Sequence, residues 1–481
     1  MDDNTHPPWN ISLERIEHIA SKLKNRKSAG IDEIYNEMIK YGGSMLLKQI
    51  QILFNKILNE MDVPMEWKHS VTIPIYKKGA KTDTTNYRGI SLLSTMSKFL
   101  TKIFEEEIAD TGICEEQQGF RKNRSAIDAI FTIRQITEKA IEFNKPAFMC
   151  FVDLTQAFDR VKLEDVVPLL QKREVHPRII TIINKLNTNN YTSIKIADKL
   201  SDKIPLTTGI RQGDSLSPTL FNIIMDEIIT EVKKVERGYR MGDKEIKAIC
   251  YADDVVLISE SEDNLQRLLY KFEQTASAFN MLISTSKTQC LTIAKEPLRC
   301  KLAVYGKSIE QVMNFKYLGV TITSSRDLEK EVKAQTLKAS LISGYLRDII
   351  WRNKYMSVDS KTRIYKTCVR PIMTYAIETR AENATTKRLL RTTEMRTLRG
   401  ITGCSLRDHI RSNDIRTQCG ILDVVRWGRI RRREWRDHVD RMDNMRMPKI
   451  AKEGHPTSKR PPGRPPIRWY ESWSSASQIR L

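Results

Sequence analysis

Across its 481 residues the chain has no apolar run approaching the roughly 18 residues of a membrane-spanning helix. Its start, MDDNTHPPWN, contains no secretory hydrophobic region. These absences exclude a helical membrane protein and predict a soluble, intracellular one. Cysteine is sparse and unpatterned: none of Cys114, Cys150, Cys250, Cys290, Cys300, Cys368, Cys404 and Cys419 falls in C-x-x-C spacing. Cys404, Cys419, His438 and His455 likewise lack the tight spacing of a zinc knuckle, so reduced and mostly buried thiols are expected. No internal repeat is found. Negative charge is also short, with 59 Asp and Glu against 80 Lys and Arg, a formal net charge of +21. Such a surplus attracts polyanions, which makes nucleic acid the leading partner; a solvated basic surface without a specific ligand is the competing reading.

What is present is a mixture of helical and strand periodicities. Residues 11–24 carry Ile16, Ile19, Ala20 and Leu23 at helical spacing, and a second helical stretch covers 33–40. Residues 71–93 alternate like a strand, break into a cationic Gly- and Thr-containing loop, and end in a second strand. AFMCFVDL (147–154) is nearly unbroken in apolar character, the mark of a strand covered on both faces, and it ends at Asp153. Residues 209–230 read as a loop that starts a long helix, with Ser217 and Pro218 suited to the N-cap and first turn. Helical spacing returns at 263–280, and strands follow near 289–294 and 314–322. From Leu328 the pattern is helical and basic. It closes in SKRPPGRPPIRWYESW, which is expected to be extended and loosely held because its Pro, Gly and Arg build no core.

In KAICYADDVVLISESED (247–263), Asp253 and Asp254 lie near the turn of a hairpin between two short strands. A solvated turn tolerates an Asp doublet, since Asp bonds its own backbone. The alternative is a cation: paired carboxylates on a rigid hairpin are hard oxygen ligands of the type Mg²⁺ takes, and a third carboxylate should then arrive from elsewhere. The order of elements is compatible with a split β-α-β sheet that would bring Asp153 beside Asp253.

Five stretches, FVDLTQAFDRV, GIRQGDSLSPTLFN, YADD, NMLISTSKTQCL and FKYLGVTIT, occur in the order seen in reverse transcriptases of non-LTR (LINE-type) retrotransposons, which the chain resembles over about residues 20–475. NYRGISLL and EEQQGFRKNRSAIDAIF extend the match, and KTRIYKTCVRPIMTYA and RRREWRDHVDRM are most similar to the RTE-like branch. The resemblance implies an α+β right-hand polymerase: an N-terminal helical extension (1–56), fingers and a palm with a split βαβ antiparallel sheet (57–325), a helical thumb (326–400), and a basic helical C-terminal region, partly disordered (401–481). The implied activity is RNA-directed DNA polymerisation, adding dNTPs to a DNA primer on an RNA template. Two metal ions, Mg²⁺ or in its place Mn²⁺, would stabilise the attacking and leaving oxygens of an in-line phosphoryl transfer.

By the same resemblance, the metal ligands are Asp153, Asp253, Asp254 and the Leu154 carbonyl. Phe158 would sit under the nucleotide sugar and collide with a 2′-hydroxyl, against the competing reading of core packing. Gly213 would let backbone approach the incoming nucleotide, and Gln212 would hydrogen-bond near its sugar and base. Arg88, Lys77 and Lys78 would grip the triphosphate. Lys287 would act as a general acid near the pyrophosphate, while Tyr317, Leu318 and Gly319 would support the primer end. The thumb would contact template–primer phosphates without reading sequence. WGRIRRREWRDH, with Trp427 and Trp435 among arginines, suits phosphate contact and base stacking, or else is an exposed amphipathic helix.

Two departures stand out. Ala29 replaces the proline usual in KSAGIDEIYNE, and no apurinic-type endonuclease precedes the polymerase, as in a truncated or split element product. The rival reading is therefore a catalytically inactive remnant that only binds nucleic acid. A viral-type RNA polymerase would share the carboxylates, but Phe158 speaks against it. Target-primed chemistry in related elements implies a nuclear location, with the cytoplasm as the alternative.

Overall fold

The strand Ala147–Val152 is buried along its whole length, and its alternate side chains feed two different cores. Phe148, Cys150 and Val152 join an apolar cluster with Phe221, Ile224 and Leu268, whereas Ala147, Met149 and Phe151 pack with Ala129, Ile133 and Ile136 of the helix Ala126–Glu142. Helices on both faces are what its unbroken apolar run requires. This is a computed structural model describing residues 8–109, 111–206, 209–211, 213–235, 237–463 and 467–474.

Ala147–Val152 is the middle strand of a five-stranded sheet in the order Glu310–Gln311, Gln289–Ile293, Ala147–Val152, Asp254–Ser259, Ala248–Tyr251. Its pairings are antiparallel except where Glu310–Gln311 joins Gln289–Ile293. A second sheet pairs His69–Tyr76 antiparallel with Tyr87–Leu92 and parallel with Asn190–Ile196. The amino-terminal helices Leu13–Lys22 and Gly43–Glu60 bury Ile16, Ile19, Phe54 and Leu58 in the same core as the first face of the central sheet.

Beyond residue 328 the chain is helical, as expected, around a separate core that includes Val332, Trp351, Tyr365, Leu390 and Val424. This part is joined to the central helix Ala126–Glu142 by buried charges of alternating sign. Arg134 pairs with Glu331, Glu331 with Arg380 (3.0 Å), Arg380 with Glu382 (3.6 Å) and Glu382 with Arg432 (3.2 Å). Burial alone would raise the Glu331 carboxyl, yet Arg134 and Arg380 overcome it and hold the group below its ordinary value.

Three expectations need correction. The second helix spans Asn36–Tyr41 rather than starting at residue 33. Glu33 is left-handed (φ 53°), Asp32 bonds Ser94 Oγ (2.7 Å) and the Thr95 N–H (3.1 Å), and a Cβ on Gly30 would lie 2.4 Å from the Leu93 carbonyl oxygen; these contacts hold the segment as a turn. The long helix runs Ser217–Lys233 with Pro218 in its first turn, but Leu216 is the N-cap and Ser217 is already helical. Among the described residues no side chain caps this helix end; the Thr219 and Leu220 N–H groups go to the Leu216 carbonyl, and Asp214 accepts the Leu216 N–H (3.4 Å).

The third correction concerns the carboxyl-terminal segment, which is not loosely held where it is described. Trp469 is 1% exposed, with its ring edge-on to Phe131 at 4.6 Å. Its indole N–H donates to the Glu378 carbonyl (2.7 Å) and its backbone N–H to the Glu138 carboxylate (3.0 Å). One large ring thus supplies the apolar anchor that its Pro, Gly and Arg neighbours lack. Trp435, half-buried, packs against the same Phe131 ring at 5.7 Å, and Trp427, also half-buried, lies under the Arg370 guanidinium at 4.8 Å. The disorder expected at the end of the chain falls partly on residues outside the described ones.

The eight cysteines are free, and five of them, Cys150, Cys250, Cys290, Cys300 and Cys419, are buried. Among the described residues no helix is long and apolar enough to cross a membrane.

Candidate active site

Antiparallel pairing aligns Val152 with Val255, so the next pair along the ladder, Asp153 and Asp254, emerges together at one end of the central sheet. Asp254 lies opposite Tyr251, which leaves Ala252 and Asp253 as a two-residue turn. Carboxylates a hundred residues apart in sequence therefore share one corner. Asp153 is anchored from its other side, where its N–H donates to Thr288 Oγ1 (3.1 Å) and its carbonyl accepts the Ser284 N–H (2.8 Å). Leu154 forms an antiparallel bridge with Ile283, but the ladder bonds run through Asp153 and Thr155, so its own carbonyl is not used in that bridge.

The corner is electrostatically uncomfortable. Burial pushes the Asp254 carboxyl up to about 6, and the charges of Asp253 and Asp153 add to the effect, although Asp254 keeps an exposed side. Asp253 is raised by burial and by Asp153, with Arg88 opposing. One Asp153 oxygen, Oδ2, is buried without a hydrogen-bond partner, and Lys287 Nζ stands 3.5 Å from it. Among the described residues no three His, Cys, Asp or Glu side chains converge closely enough to enclose a metal ion, so the carboxylates surround the corner without closing on it.

The turn itself is strained. Ala252 has φ 58°, a left-handed conformation that costs a residue with a Cβ about 1–2 kcal/mol. The buried side chain of Gln117 meets it: Gln117 Oε1 accepts the Ala252 N–H (2.9 Å) and Nε2 donates to the Ala252 carbonyl (3.2 Å). The same Oε1 accepts the Gly119 N–H (2.9 Å). A Cβ on Gly119 would lie 2.2 Å from the Ala252 nitrogen, so only glycine permits this approach.

Of the other sequence-predicted residues, Lys287 reaches the acidic corner, as does Arg88 through its effect on Asp253. Lys77 and Lys78 are exposed just after the strand His69–Tyr76, and the Lys77 N–H closes the loop onto the Asn86 carbonyl (2.8 Å). Phe158, on the short helix Ala157–Arg160, is half-buried, stacked on Phe221 at 4.5 Å and edge-on to Phe120 at 6.1 Å. Gly213 has φ 130°, and a Cβ there would fall 2.3 Å from the Ser91 carbonyl oxygen; close packing against the second sheet by itself demands glycine. Gln212 lies outside the described residues.

Tyr317, Leu318 and Gly319 form the tip of the hairpin Asn314–Tyr317/Val320–Thr323, with Leu318 (φ 43°) and Gly319 (φ 85°) as its two-residue turn. Tyr317 is 2% exposed and packs on Phe151, while the Leu318 carbonyl accepts the Tyr375 hydroxyl (3.0 Å). Tyr317 thus supports the hairpin from beneath, and Leu318 and Gly319 form its tip. Sequence reasoning missed Gln117, Gly119 and Tyr375; the Gln-Gly pair within EEQQGF was the one local hint.

Comparison with known proteins bears on this geometry. A family model described as "Reverse transcriptase (RNA-dependent DNA polymerase)" matches residues 75–322. The chain is 26% identical over 423 residues to the RNA-directed DNA polymerase from mobile element jockey of Drosophila melanogaster, covering 84% of this chain and 45% of that protein. It is 24% identical over 399 residues to a probable RNA-directed DNA polymerase from transposon BS of the same organism, covering 78% of this chain and 43% of the relative. It is also 24% identical over 301 residues to a retrovirus-related Pol polyprotein from a type-1 retrotransposable element R2 of Nasonia vitripennis, covering 59% and 29%. The chain spans less than half the length of each of these relatives.

Proposed function

This chain belongs to the reverse transcriptase (RNA-dependent DNA polymerase) family, and from that premise we propose that it is the RNA-directed DNA polymerase of a non-LTR retrotransposon, extending a DNA primer with dNTPs on an RNA template. The carrying observation is that Asp153, Asp253 and Asp254 come to one sheet corner, where burial and mutual repulsion raise Asp253 and Asp254, and Lys287 and Arg88 oppose the negative charge. Within non-LTR elements, its carboxyl-terminal motifs favour the RTE-like branch. In polymerase terms, residues 57–325 are fingers and palm, 326–400 the thumb, 401–481 a basic extension and 1–56 a helical one.

Divalent metal suits the chemistry of the corner: Asp153 Oδ2, which has no hydrogen bond, the repelling Asp253 and Asp254, and the Leu154 carbonyl would together offer only oxygen donors, which favours Mg²⁺ or Mn²⁺. Two bound ions would supply charge stabilisation for the attacking 3′ oxygen and the leaving pyrophosphate. The protein's own residues do the rest. Arg88, Lys77 and Lys78 hold the triphosphate, Phe158 underlies the sugar and excludes a 2′-hydroxyl, and Gln212 and Gly213 border the nucleotide. Lys287 donates a proton to the departing pyrophosphate, and the tip at Leu318 and Gly319 steadies the primer. The basic composition fits phosphate contacts along the hybrid, and a nuclear site of action follows from priming on genomic DNA.

The test is metal-dependent incorporation of dNTPs by the purified chain on an RNA template annealed to a DNA primer. Salt-sensitive hybrid binding without incorporation would favour the inactive, nucleic-acid-binding remnant instead.

A further inference from the structure

We propose that Gln117 is a positioning residue that sets the metal-binding geometry of the acidic corner by holding Ala252 in its left-handed conformation. The inference rests on the polymerase reading for what the corner does, but not for how the corner is built.

Gln117 comes from a loop more than a hundred residues upstream and is 0% exposed. Every hydrogen bond found for its carboxamide goes to the turn or to the glycine that touches it. Two go to Ala252, at 2.9 and 3.2 Å, and one to Gly119 at 2.9 Å. The loop is fixed to the hairpin by main-chain bonds as well, since the Gln118 N–H donates to the Cys250 carbonyl and the Cys250 N–H to the Glu116 carbonyl, both at 2.8 Å. Asn222 of the helix Ser217–Lys233 secures the far side by donating to the Gly119 carbonyl (2.9 Å).

The chemistry explains why a carboxamide serves here. A left-handed Ala252 has no strand partner for its N–H or its carbonyl, and a buried main-chain group left unpaired is unfavourable. Gln offers an acceptor and a donor on one planar group and can satisfy both. If the side chain merely filled space, its bonds would be spread over the core; instead they converge on the residue just before Asp253 and Asp254. Those two carboxylates repel each other and Asp153, so an unbraced turn would relax by swinging them apart. Displacing a ligand by about an ångström is enough to spoil a reacting geometry.

The experiment uses the full chain and reads Mn²⁺ binding by electron paramagnetic resonance in the absence of nucleic acid and nucleotide, alongside the Mg²⁺ concentration that half-saturates primer extension. Gln117→Ala should weaken Mn²⁺ binding about tenfold or more and raise the Mg²⁺ requirement in parallel, with RNA–DNA hybrid affinity unchanged. Adding Ala252→Gly should restore Mn²⁺ affinity to within about threefold of wild type, because glycine holds a positive φ without help. A Gln117→Ala protein that binds Mn²⁺ within twofold of wild type overturns the proposal. So does a folded Gln117→Ala/Ala252→Gly protein that remains tenfold weak, and that arm decides the matter if the single variant fails to fold. Gln117-dependent Mn²⁺ binding without polymerisation would uphold the brace and reject the polymerase reading; polymerisation indifferent to Gln117 would do the reverse.

Discussion

Two groups of charged residues in this protein are built on opposite plans. In the chain Arg134–Glu331–Arg380–Glu382–Arg432 each carboxylate lies between two guanidiniums, and the assembly is buried. At the sheet corner Asp153, Asp253 and Asp254 lie near one another, two of them with raised proton affinity and Asp153 with an oxygen that has no hydrogen bond and the Lys287 ammonium, 3.5 Å away, to offset it. The first arrangement is complete within the fold and joins its parts; the second gains from something positive arriving from outside. Alternation of sign, more than burial, distinguishes the ion chain that joins the fold from the corner proposed to take metal.

The sharpest way to break this contrast is to neutralise the corner. Asp153→Asn, Asp253→Asn or Asp254→Asn should each cut primer extension by more than about a thousandfold while hybrid binding and fold persist, because metal ligands act as a unit. Extension within tenfold of wild type would remove the corner from the chemistry. Next in size, Glu331→Ala should lower unfolding free energy by about 3–5 kcal/mol in urea titrations, since Arg134 and Arg380 would lose their shared partner in the interior. A loss below about 1 kcal/mol would mean the network is not what joins the two parts. A smaller change is expected from Phe158→Ala, which should improve ribonucleotide use relative to dNTPs by about tenfold, roughly 1.4 kcal/mol of discrimination. If it only destabilises the protein, the ring stacked on Phe221 is core and no gate.

The smallest effect tests the sign of the contrast. In metal-free buffer Asp254→Asn should raise Tm slightly, by roughly 1 °C, since the group is partly solvated. A folded value near 6 above the usual 3.8 means the folded chain holds its proton more tightly, so the charge penalty is complete above pH 6 and gone below about 4. The gain from Asn should follow that window and vanish at pH 4. At saturating Mg²⁺ the same substitution should instead lower Tm.

The sequence made the acidic corner legible because each part has a local signature: an unbroken apolar strand ending in Asp153, and a hairpin with two acids at its turn. The order of elements was only compatible with their meeting; the antiparallel register of the structure is what joins them. Lys287 was suggested by family resemblance alone, and the structure sets it 3.5 Å from Asp153 through a segment whose Ser284 N–H bonds the Asp153 carbonyl. The alternating ion chain was not legible, because Arg134, Glu331 and Arg432 come from three distant helices and each reads locally as ordinary surface charge. Helix ends were misread where side chains from elsewhere decided them, as Asp32 does through Ser94 and Thr95. Gly213 shows a subtler gap: its need for glycine was foreseen, but packing on Ser91 is enough to account for it.

The seating of Trp469 bears on how the chain is made. Its contacts with Phe131 and Glu138 join residues more than three hundred positions apart, so one flank of the helix Ala126–Glu142 stays bare while the intervening chain leaves the ribosome. Until Trp469 is made, Phe131 lacks its nearest ring and has the partial cover of Trp435, Val439 and Met442, which leaves apolar surface of the kind that promotes aggregation. Trimming the polypeptide just short of Trp469 would leave that flank with the same partial cover.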